Sequence, residues 1–371
     1  MDYDLIATST FGIESITAKE LKKLGYEDLV IENGKVTFSG DEMDIAITNT
    51  WLRTADRILI KMAEFKATTF EELFQGTLAV DWGSLIPANG KMHVVGKSIK
   101  STLFSVPDCQ SIVKKAVVKS MQSKYNTEWF PEDGPIYKIE VALLKDIVTL
   151  TIDTTGPGLH KRGYRENAGE APLKETLAAS LVLISRWNNE SLLIDPFCGS
   201  GTILIEAAMI GINQAPGLYR RFECENWPTM DAETWEQVRE GAHSAIKNND
   251  MKLIGYDING PVLRKARENA QKAKIDRYID FQKLDFNELS SRKKNCFIIT
   301  NPPYGQRIGE LDEVKSLYKK LGEFHENLPS WDMNILTSFE GFEALFGEKA
   351  SKNRKLYNGK IKCYYYQYLA K

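Results

Sequence analysis

The sequence is poor in the residues that metal sites and disulfide frameworks require. Its 371 residues include only four histidines and five cysteines. The cysteines lie far apart, and no two of them form a CxxC pair. This spacing disfavours a zinc site and a set of disulfides, and it favours a reducing cytoplasm. We therefore expect no metal and a cytoplasmic location.

Long apolar runs and low-complexity segments are also missing. No segment approaches the roughly 18 consecutive apolar residues that a membrane helix needs. The acidic start MDYDLIATST is typical of a strand rather than of a signal peptide. With 43% apolar and 26% charged residues, the composition favours a globular protein without a membrane partner. A chain of this length has room for two or three domains.

A strong excess of one charge is absent from the whole chain but not from its parts. The formal net charge is −2, yet residues 91–124 contain seven lysines and a single acid. Residues 352–362 contain five basic residues and no acid. Basic segments within a near-neutral protein indicate local contact with a polyanion.

Local signals divide the chain into three regions. Residues 1–66 alternate strand and helix signals and contain an Asn33-Gly34 hairpin, which favours a ferredoxin-like α+β unit. Residues 67–155 predict a helix, a strand, a second helix and two further strands. A connector that contains glycine and proline starts at residue 156. From Ala171 onward, strand and helix signals alternate, which predicts an α/β domain with a doubly wound, mostly parallel sheet.

Four strand ends carry polar groups that would meet at one edge of such a sheet. The first is the segment DPFCGSGT (residues 195–202), where an acid and a Gly-x-Gly turn precede a helix. The glycines let the backbone approach a ligand closely, and the helix start offers free N–H groups. A tight turn that binds nothing has the same pattern. Leu204 stands where a dinucleotide fingerprint has its third glycine, which disfavours a nicotinamide cofactor.

Two further strands end in acids. Asp257 follows LIGY, and Asp285 follows FQKL. An acid at this edge is the usual partner of ribose hydroxyls, and Asp285 is placed to accept a hydrogen bond from an adenine amino group. By itself, a helix N-cap explains Asp257 equally well, and an ordinary turn is the alternative for Asp285. Because ligands bind at the carboxyl edge of open α/β sheets, the coincidence of several such ends favours a ligand there.

The fourth strand end is the segment TNPPYG (residues 300–305). Its two prolines stop the sheet ladder, fix φ and remove two backbone donors. Exposed carbonyl groups, the amide of Asn301 and the ring of Tyr304 remain. A proline-stiffened turn without a function is the alternative interpretation.

The segments DPFCGSGT, GYDI, LDF and NPPY, in this order, resemble the motifs of class I S-adenosylmethionine methyltransferases that modify an exocyclic amine. With the flanking GLHKRGYRENAGEAPLKETLAA, NQAPGL and KLYNGKIKCYYYQY, they resemble the bacterial THUMP-domain RNA guanine-N2 methyltransferases, a group related to large-subunit ribosomal RNA enzymes. The motifs cover about residues 156–371, whereas residues 1–155 fit by element order and position. Two-domain relatives carry a second methyltransferase or other extensions, so the RNA target is not carried over.

The resemblance implies three domains and a cofactor. It implies a ferredoxin-like domain at residues 1–66, a THUMP domain at 67–155 and a Rossmann-like class I methyltransferase domain at 156–371. It also implies that S-adenosylmethionine is the cofactor. The implied cofactor-binding residues are Asp195, Pro196, Phe197, Cys198, Gly199, Gly201, Thr202, Asp257, Ile258, Asp285 and Phe286.

The same resemblance makes Asn301, Pro302, Pro303 and Tyr304 the catalytic segment. An exocyclic amine is a poor nucleophile because its lone pair is delocalised into the ring. Asn301 Oδ1 and the carbonyl of Pro302 supply acceptors for its hydrogens, and Pro303 stiffens them. Tyr304 offers a stacking face for an extruded base, worth roughly 1–3 kcal/mol. Methyl transfer is then an in-line displacement that depends on positioning.

Basic residues that precede these motifs are the candidate RNA ligands. They are Lys97, Lys100, Lys114, Lys115 and Lys119 in the second region and Lys161, Arg162 and Arg165 in the connector. The lysines fit a solvated helix face as an alternative, and the connector residues fit structural salt bridges. Cys198 is not expected to be a catalytic thiol, since its motif contains no histidine.

The leading hypothesis is an RNA guanine-N2 methyltransferase, with ribosomal RNA favoured over transfer RNA. Since NPPY segments also serve other amines, a DNA adenine-N6 or protein glutamine-N5 methyltransferase is an alternative. The lysine-bearing N-terminal regions argue against both. A non-catalytic RNA-binding factor is a further alternative, against which the intact Asp195, Asp257 and Asn301 argue. Target nucleotide, degree of methylation and oligomeric state are not predicted.

Overall fold

The fold is known from a computed structural model that describes residues 2–165, 173–290, 293–304 and 311–370. Within these ranges the chain forms two seven-stranded sheets with helices packed against them. One sheet comes from the N-terminal regions, and the other comes from the C-terminal region.

The N-terminal sheet joins the first two predicted regions. Its strand order is β2-β3-β1-β4-β7-β6-β5. The long strand β4 pairs with β1 on one side and with β7 on the other, so a single sheet runs through both regions. Its strands are β1 (Tyr3–Ser9), β2 (Val30–Glu32), β3 (Lys35–Gly40), β4 (Ala55–Lys66), β5 (Lys91–Ile99), β6 (Ile136–Leu144) and β7 (Ile147–Asp153). The helices beside it are α1 (Glu14–Lys23), α2 (Glu42–Trp51), α3 (Phe70–Leu78) and α4 (Val106–Tyr125).

Local sequence signals account for several element ends in this half. Asp41 caps α2 by accepting hydrogen bonds from the backbone N–H groups of Met43 and Asp44, as a side chain at this position commonly does. The predicted hairpin joins β2 to β3, and Gly34 has a φ of 78°, a conformation that glycine adopts without strain.

The C-terminal sheet has the order β10-β9-β8-β11-β12-β14-β13. Strands β8 to β12 are parallel, whereas β14 and β13 run antiparallel to their neighbours. The strands are β8 (Leu193–Asp195), β9 (Leu253–Asp257), β10 (Ile279–Lys283), β11 (Phe297–Thr300), β12 (Asp332–Thr337), β13 (Lys352–Asn358) and β14 (Ile361–Tyr368). The helices are α5 (Glu175–Ser185), α6 (Thr202–Gly211), α7 (Ala232–Ser244), α8 (Gly260–Lys272), α9 (Leu311–Asn327) and α10 (Phe342–Phe346).

This topology confirms the predicted doubly wound, mostly parallel sheet. The strand order reverses between β8 and β11, and ligands bind beside such a reversal in open α/β sheets. The predicted start of the alternation at Ala171 lies outside the described residues.

The two halves share their hydrophobic cores. Trp227, which follows α6 in the chain, stacks on Tyr137 of β6 with ring centroids 4.6 Å apart, and its Nε1 donates to the carbonyl of Ile136 at 2.9 Å. In return, Ile13 and Ile16 pack into the core of the C-terminal half. Because each half completes the core of the other, they are held in one fixed arrangement.

Candidate active site

The four predicted strand ends meet at one cavity. The cavity has a volume of about 840 Å³ and lies at the carboxyl edge of the C-terminal sheet. Its lining includes residues after β8, β9, β10 and β11: Pro196, Phe197, Asp257, Ile258, Asp285, Phe286, Asn301, Pro302, Pro303 and Tyr304. The structure therefore brings together residues that are more than 100 positions apart in the chain.

Helix α9 forms a wall of the cavity that the sequence interpretation missed. The α9 residues in the lining are Asp312, Glu313, Ser316, Leu317 and Lys320. Asn287, which follows β10, lines the cavity as well. No local motif marks the α9 residues, because only the packing of the helix over the sheet edge brings them to the site.

The glycine turn after β8 is held by the neighbouring strand β9. Gly199 and Gly201 have φ values of 53° and 80°, and a Cβ on Gly201 would lie 2.9 Å from the ring of Phe281. The backbone N–H of Gly199 donates to Asp257 Oδ2 at 3.0 Å. Both the backbone conformation and the close approach require glycine at position 201.

The side chain of Asp195 is buried beneath this turn and does not line the cavity. Its side chain is 1% exposed, and Oδ1 accepts hydrogen bonds from the Phe197 N–H at 3.1 Å and from Thr300 Oγ1 at 2.6 Å. Burial raises the pKa of Asp195 to about 7. The carboxyl group is buried and joins the ends of β8 and β11, so the structure favours a supporting role for Asp195 over direct contact with a cofactor.

The other acids and two aromatic rings do line the cavity. Asp257 Oδ1 accepts from the Asn259 N–H at 2.8 Å, and Asp285 Oδ1 accepts from the Asn287 N–H at 2.8 Å. The rings of Phe197 and Phe286 lie 5.4 Å apart. Carboxylates beside an apolar slot form an arrangement suited to a ribose and a flat heterocycle.

The catalytic segment is held by contacts that the sequence did not reveal. The hydroxyl of Tyr304 donates to Asn301 Oδ1, so this oxygen already has a partner. Tyr318 of α9 donates from its hydroxyl to the carbonyl of Pro303 at 2.8 Å, which anchors the segment. Burial raises the pKa of Tyr304 well above its ordinary value, so the hydroxyl stays a donor. Gly305 lies outside the described residues.

Two of the predicted RNA ligands in the connector are structural cations. Arg162 is 5% exposed; it donates to the carbonyls of Leu159 and Arg53 and lies 3.5 Å from Glu206 Oε1. Arg165 forms a 3.0 Å ion pair with Glu175. Their partners are carboxylates and carbonyls of this chain, so the structure favours the alternative of structural salt bridges for both arginines over contacts with RNA. Lys161 is exposed, and its role stays a prediction.

The five lysines of the second region do not form one cluster. Lys97 lies 2.8 Å from Glu140, and Lys100 follows β5 at a turn. Lys114 donates to the carbonyl of Met92, near the other end of β5, and pairs with Glu132. Lys115 and Lys119 lie over the ring of Phe74 at 5.9 and 5.7 Å. Contacts of these lysines with RNA stay a prediction.

The C-terminal half of the chain is similar in sequence to a known family. A family model described as "RMKL-like, methyltransferase domain" matches residues 162–367. The chain belongs to this methyltransferase family. Two further models match the N-terminal half of the methyltransferase: "RlmL ferredoxin-like domain" at residues 4–59 and "THUMP domain" at residues 67–153. The predicted family and fold class are confirmed.

Individual relatives agree with this assignment. The methyltransferase is 48% identical to the "Putative RNA methyltransferase YpsC" of Bacillus subtilis (strain 168), with all of this chain and 96% of that protein covered. It is 33% identical to the "Ribosomal RNA large subunit methyltransferase K/L" of Syntrophotalea carbinolica over 96% of this chain, but it spans only 52% of that relative. A crystal structure of "SMU.472, a putative methyltransferase complexed with SAH" has a TM-score of 0.94 and 43% identity, covering 100% of this chain and 98% of that one.

These matches bear on the cofactor and on the kind of partner. The predicted methyltransferase activity and the S-adenosylmethionine cofactor are confirmed, since SAH is the demethylated form of that cofactor. The THUMP match agrees with RNA as the class of partner. Among the described residues, no group of three or more His, Cys, Asp or Glu could hold a metal ion. None of the helices within the described ranges is long and apolar enough to cross a membrane.

Proposed function

We propose that the protein transfers a methyl group from S-adenosylmethionine to the N2 amine of a guanine in RNA, and that this RNA is ribosomal rather than transfer RNA. The observation that carries the proposal is the position of Asn301 in one cavity with Asp257 and Asp285. The 33% identical relative named as a large-subunit ribosomal RNA methyltransferase supports the choice of RNA. We also propose a cytoplasmic location and domain boundaries of 1–66, 67–155 and 156–371.

The residues after β8, β9 and β10 would hold the cofactor. Asp257 would accept hydrogen bonds from ribose hydroxyls, Asp285 would face the adenine amino group, and Phe197 and Phe286 would enclose the flat ring. The glycine turn allows its backbone to approach the methionine part closely. When bound, S-adenosylmethionine supplies an electrophilic methyl group on a sulfonium ion.

Asn301 and Pro302 would prepare the guanine amine. Asn301 Oδ1 and the carbonyl of Pro302 accept its two hydrogens, which directs the nitrogen lone pair toward the methyl group. At this nitrogen the new N–C bond would replace the bond between the methyl group and sulfur, whose electron pair would stay on sulfur, and the amine would lose a proton to water. Positioning supplies the catalysis, because no strong base is required. Tyr304 must release or share Asn301 Oδ1 when the guanine arrives.

Mapping of methylated nucleotides tests the proposal directly. Ribosomal RNA from cells that lack the protein is compared with RNA from cells that carry the wild type, Asn301→Ala or the surface control Asn226→Ala. We expect N2-methylguanine at one or more positions to disappear without the protein. It should return with the wild type and with Asn226→Ala but not with Asn301→Ala. Loss of a methyladenine, of a transfer RNA guanine or of a DNA methyl group instead would contradict the proposal.

Single-turnover kinetics on the mapped RNA separates chemistry from binding. Asn301→Ala should slow methyl transfer by at least about a hundredfold, because an acceptor that acts on the nucleophile is lost in the chemical step. S-adenosylmethionine affinity should stay as in the wild type. Methyl transfer at the wild-type rate would show that Asn301 is only a turn residue.

A further inference from the structure

The hairpin of β13 and β14 projects beyond the sheet edge that carries the candidate active site. Strand β14 pairs with β12 as far as Tyr364, which lies opposite Thr337, the last residue of β12. The turn of the hairpin lies at Gly359, five residues before Tyr364 and beyond the end of β12. At about 3.3 Å per residue, the tip therefore extends roughly 15 Å past the end of β12.

One face of this hairpin carries aromatic rings between lysines. Lys355 lies opposite Tyr364, and Tyr357 lies opposite Lys362; residues that pair in this way share one face of a sheet. Lys355 Nζ lies 5.5 Å from the ring centroid of Tyr357, and Lys362 Nζ lies 5.7 Å from that of Tyr364. Lys360 is exposed near the tip.

The hairpin is fixed to the N-terminal half of the protein. Arg354 donates to the carbonyl of Gly12 at 3.2 Å. The ring of Phe11, which is 47% exposed, lies 6.0 Å from that of Tyr357 in an edge-to-face arrangement. These contacts extend the aromatic face of the hairpin onto the segment that follows β1.

The opposite face of the hairpin lies against the catalytic segment. Cys363 Sγ is 4.0 Å from the hydroxyl of Tyr304. The lysine and tyrosine face therefore lies on the other side of the hairpin, separated from the catalytic segment by the thickness of one sheet. Residues 352–362 contain no acid. Glu340 lies 3.7 Å from Lys362, but it is 87% exposed, and such surface pairs exchange easily.

We propose that this surface, formed by Phe11, Lys355, Tyr357, Lys360, Lys362 and Tyr364, binds single-stranded RNA beside the target nucleotide. Flat rings stack on unpaired bases, and the ammonium groups between them contact the phosphates. A regular duplex offers no such bases, because its base faces are stacked on one another. The inference rests on the proposed function and adds the contact that holds the strand at the active site.

Fluorescence anisotropy with the full-length protein tests the surface. The probe is a labelled single-stranded RNA of about 12 nucleotides, a length typical of such binding sites, and the titration is repeated over a series of salt concentrations. The hairpin variant carries Lys355→Ala, Lys360→Ala and Lys362→Ala. The matched control carries Lys247→Ala, Lys252→Ala and Lys265→Ala, which remove three exposed lysines outside the hairpin.

The hairpin variant should bind the probe at least about tenfold more weakly than the control. Its salt slope should fall by about two units, since each contact with a single-strand phosphate contributes about 0.7. Tyr357→Ala should also weaken binding while leaving the salt slope unchanged, and Tyr357→Phe should bind as the wild type because it keeps the ring. Equal affinity and slope in the hairpin and control variants would overturn the proposal, as would equal binding of a duplex of the same length.

A further measurement separates this inference from the proposed function. S-adenosylmethionine affinity, measured by calorimetry, should be the same in both triple variants, which shows that the hairpin variant is folded. Anisotropy requires no methyl transfer. If the methylation map shows that the target is not a guanine, the loss of RNA binding by the hairpin variant is therefore still expected. Failure of the hairpin contact would instead appear as unchanged binding by a variant that takes up the cofactor normally.

Discussion

The hydroxyl of Tyr304 donates a hydrogen bond to Oδ1 of Asn301, the oxygen that we propose as an acceptor for the substrate amine. The Tyr304 hydroxyl and the Asn301 oxygen are therefore paired within the catalytic segment. Such pairing is expected, because polar groups removed from water are nearly always hydrogen-bonded. Substrate binding must then either displace this hydrogen bond or use the second lone pair of Asn301 Oδ1.

Removing this hydroxyl should make the acceptor more available. We expect Tyr304→Phe to raise kcat/KM for RNA by about two- to tenfold, since a typical hydrogen bond contributes about 0.5–1.5 kcal/mol. The ring for stacking is kept. Steady-state methylation of the mapped RNA checks this, with Tyr219→Phe at the surface as the control. A loss of activity of more than about tenfold would mean that the hydroxyl takes part in the reaction.

Asp257 should matter for the cofactor and not for RNA. Asp257→Ala should weaken S-adenosylmethionine binding by more than about tenfold, because charge-assisted hydrogen bonds of roughly 1.5–3 kcal/mol each are lost. Asp257→Asn should lose less, as its amide oxygen still accepts from the N–H of Gly199. Calorimetry measures the cofactor, and anisotropy measures RNA. The exposed control Asp280→Ala should bind the cofactor as the wild type does. The same affinity in Asp257→Ala would show that Asp257 does not bind the cofactor.

Arg162 should contribute to stability rather than to RNA binding. Arg162→Ala removes the ion-pair partner of the fully buried Glu206 and leaves it only the attraction of Arg53, which should lower the free energy of unfolding by about 3–5 kcal/mol. The neighbouring exposed Lys161→Ala should change it by less than about 0.5 kcal/mol. Urea unfolding gives both values. A variant with wild-type stability and weakened RNA binding would restore Arg162 as an RNA ligand.

The buried carboxyl group of Asp195 should make stability depend on pH. Burial raises its pKa from 3.8 to about 7, so the folded protein holds a proton that the unfolded chain has already released. This contribution is complete below about pH 4 and is lost as the pH rises to about 7. Asp195→Asn keeps an oxygen for Phe197 and Thr300 but does not titrate, so its unfolding free energy should fall less over this range.

Urea unfolding of both proteins between about pH 4 and pH 8 measures the difference. Burial also raises the pKa of Glu20, Glu175 and Glu206. Both proteins share these groups, so subtracting one pH profile from the other isolates Asp195. Parallel profiles would show that Asp195 titrates near its ordinary pKa.

The sequence alone predicted the class of fold and most of the cavity lining. The Asn33-Gly34 hairpin, the cap at Asp41 and the polar strand ends at Asp257 and Asn301 are local signals, each contained within a few residues. In a parallel sheet, the carboxyl ends of the strands necessarily lie at one edge. Local patterns therefore sufficed to place these residues in one site.

Only the tertiary structure decided which of the predicted residues are accessible and what holds them. Arg162 carries the positive charge expected of a residue that binds RNA. Its guanidinium, however, donates to the carbonyl of Arg53, 109 positions away. Tyr318 and the α9 wall reach the site through helix packing, and Tyr304 turns its hydroxyl to Asn301. Burial and hydrogen-bond partners depend on segments that are distant in the chain, and a local pattern contains no information about which segments will meet.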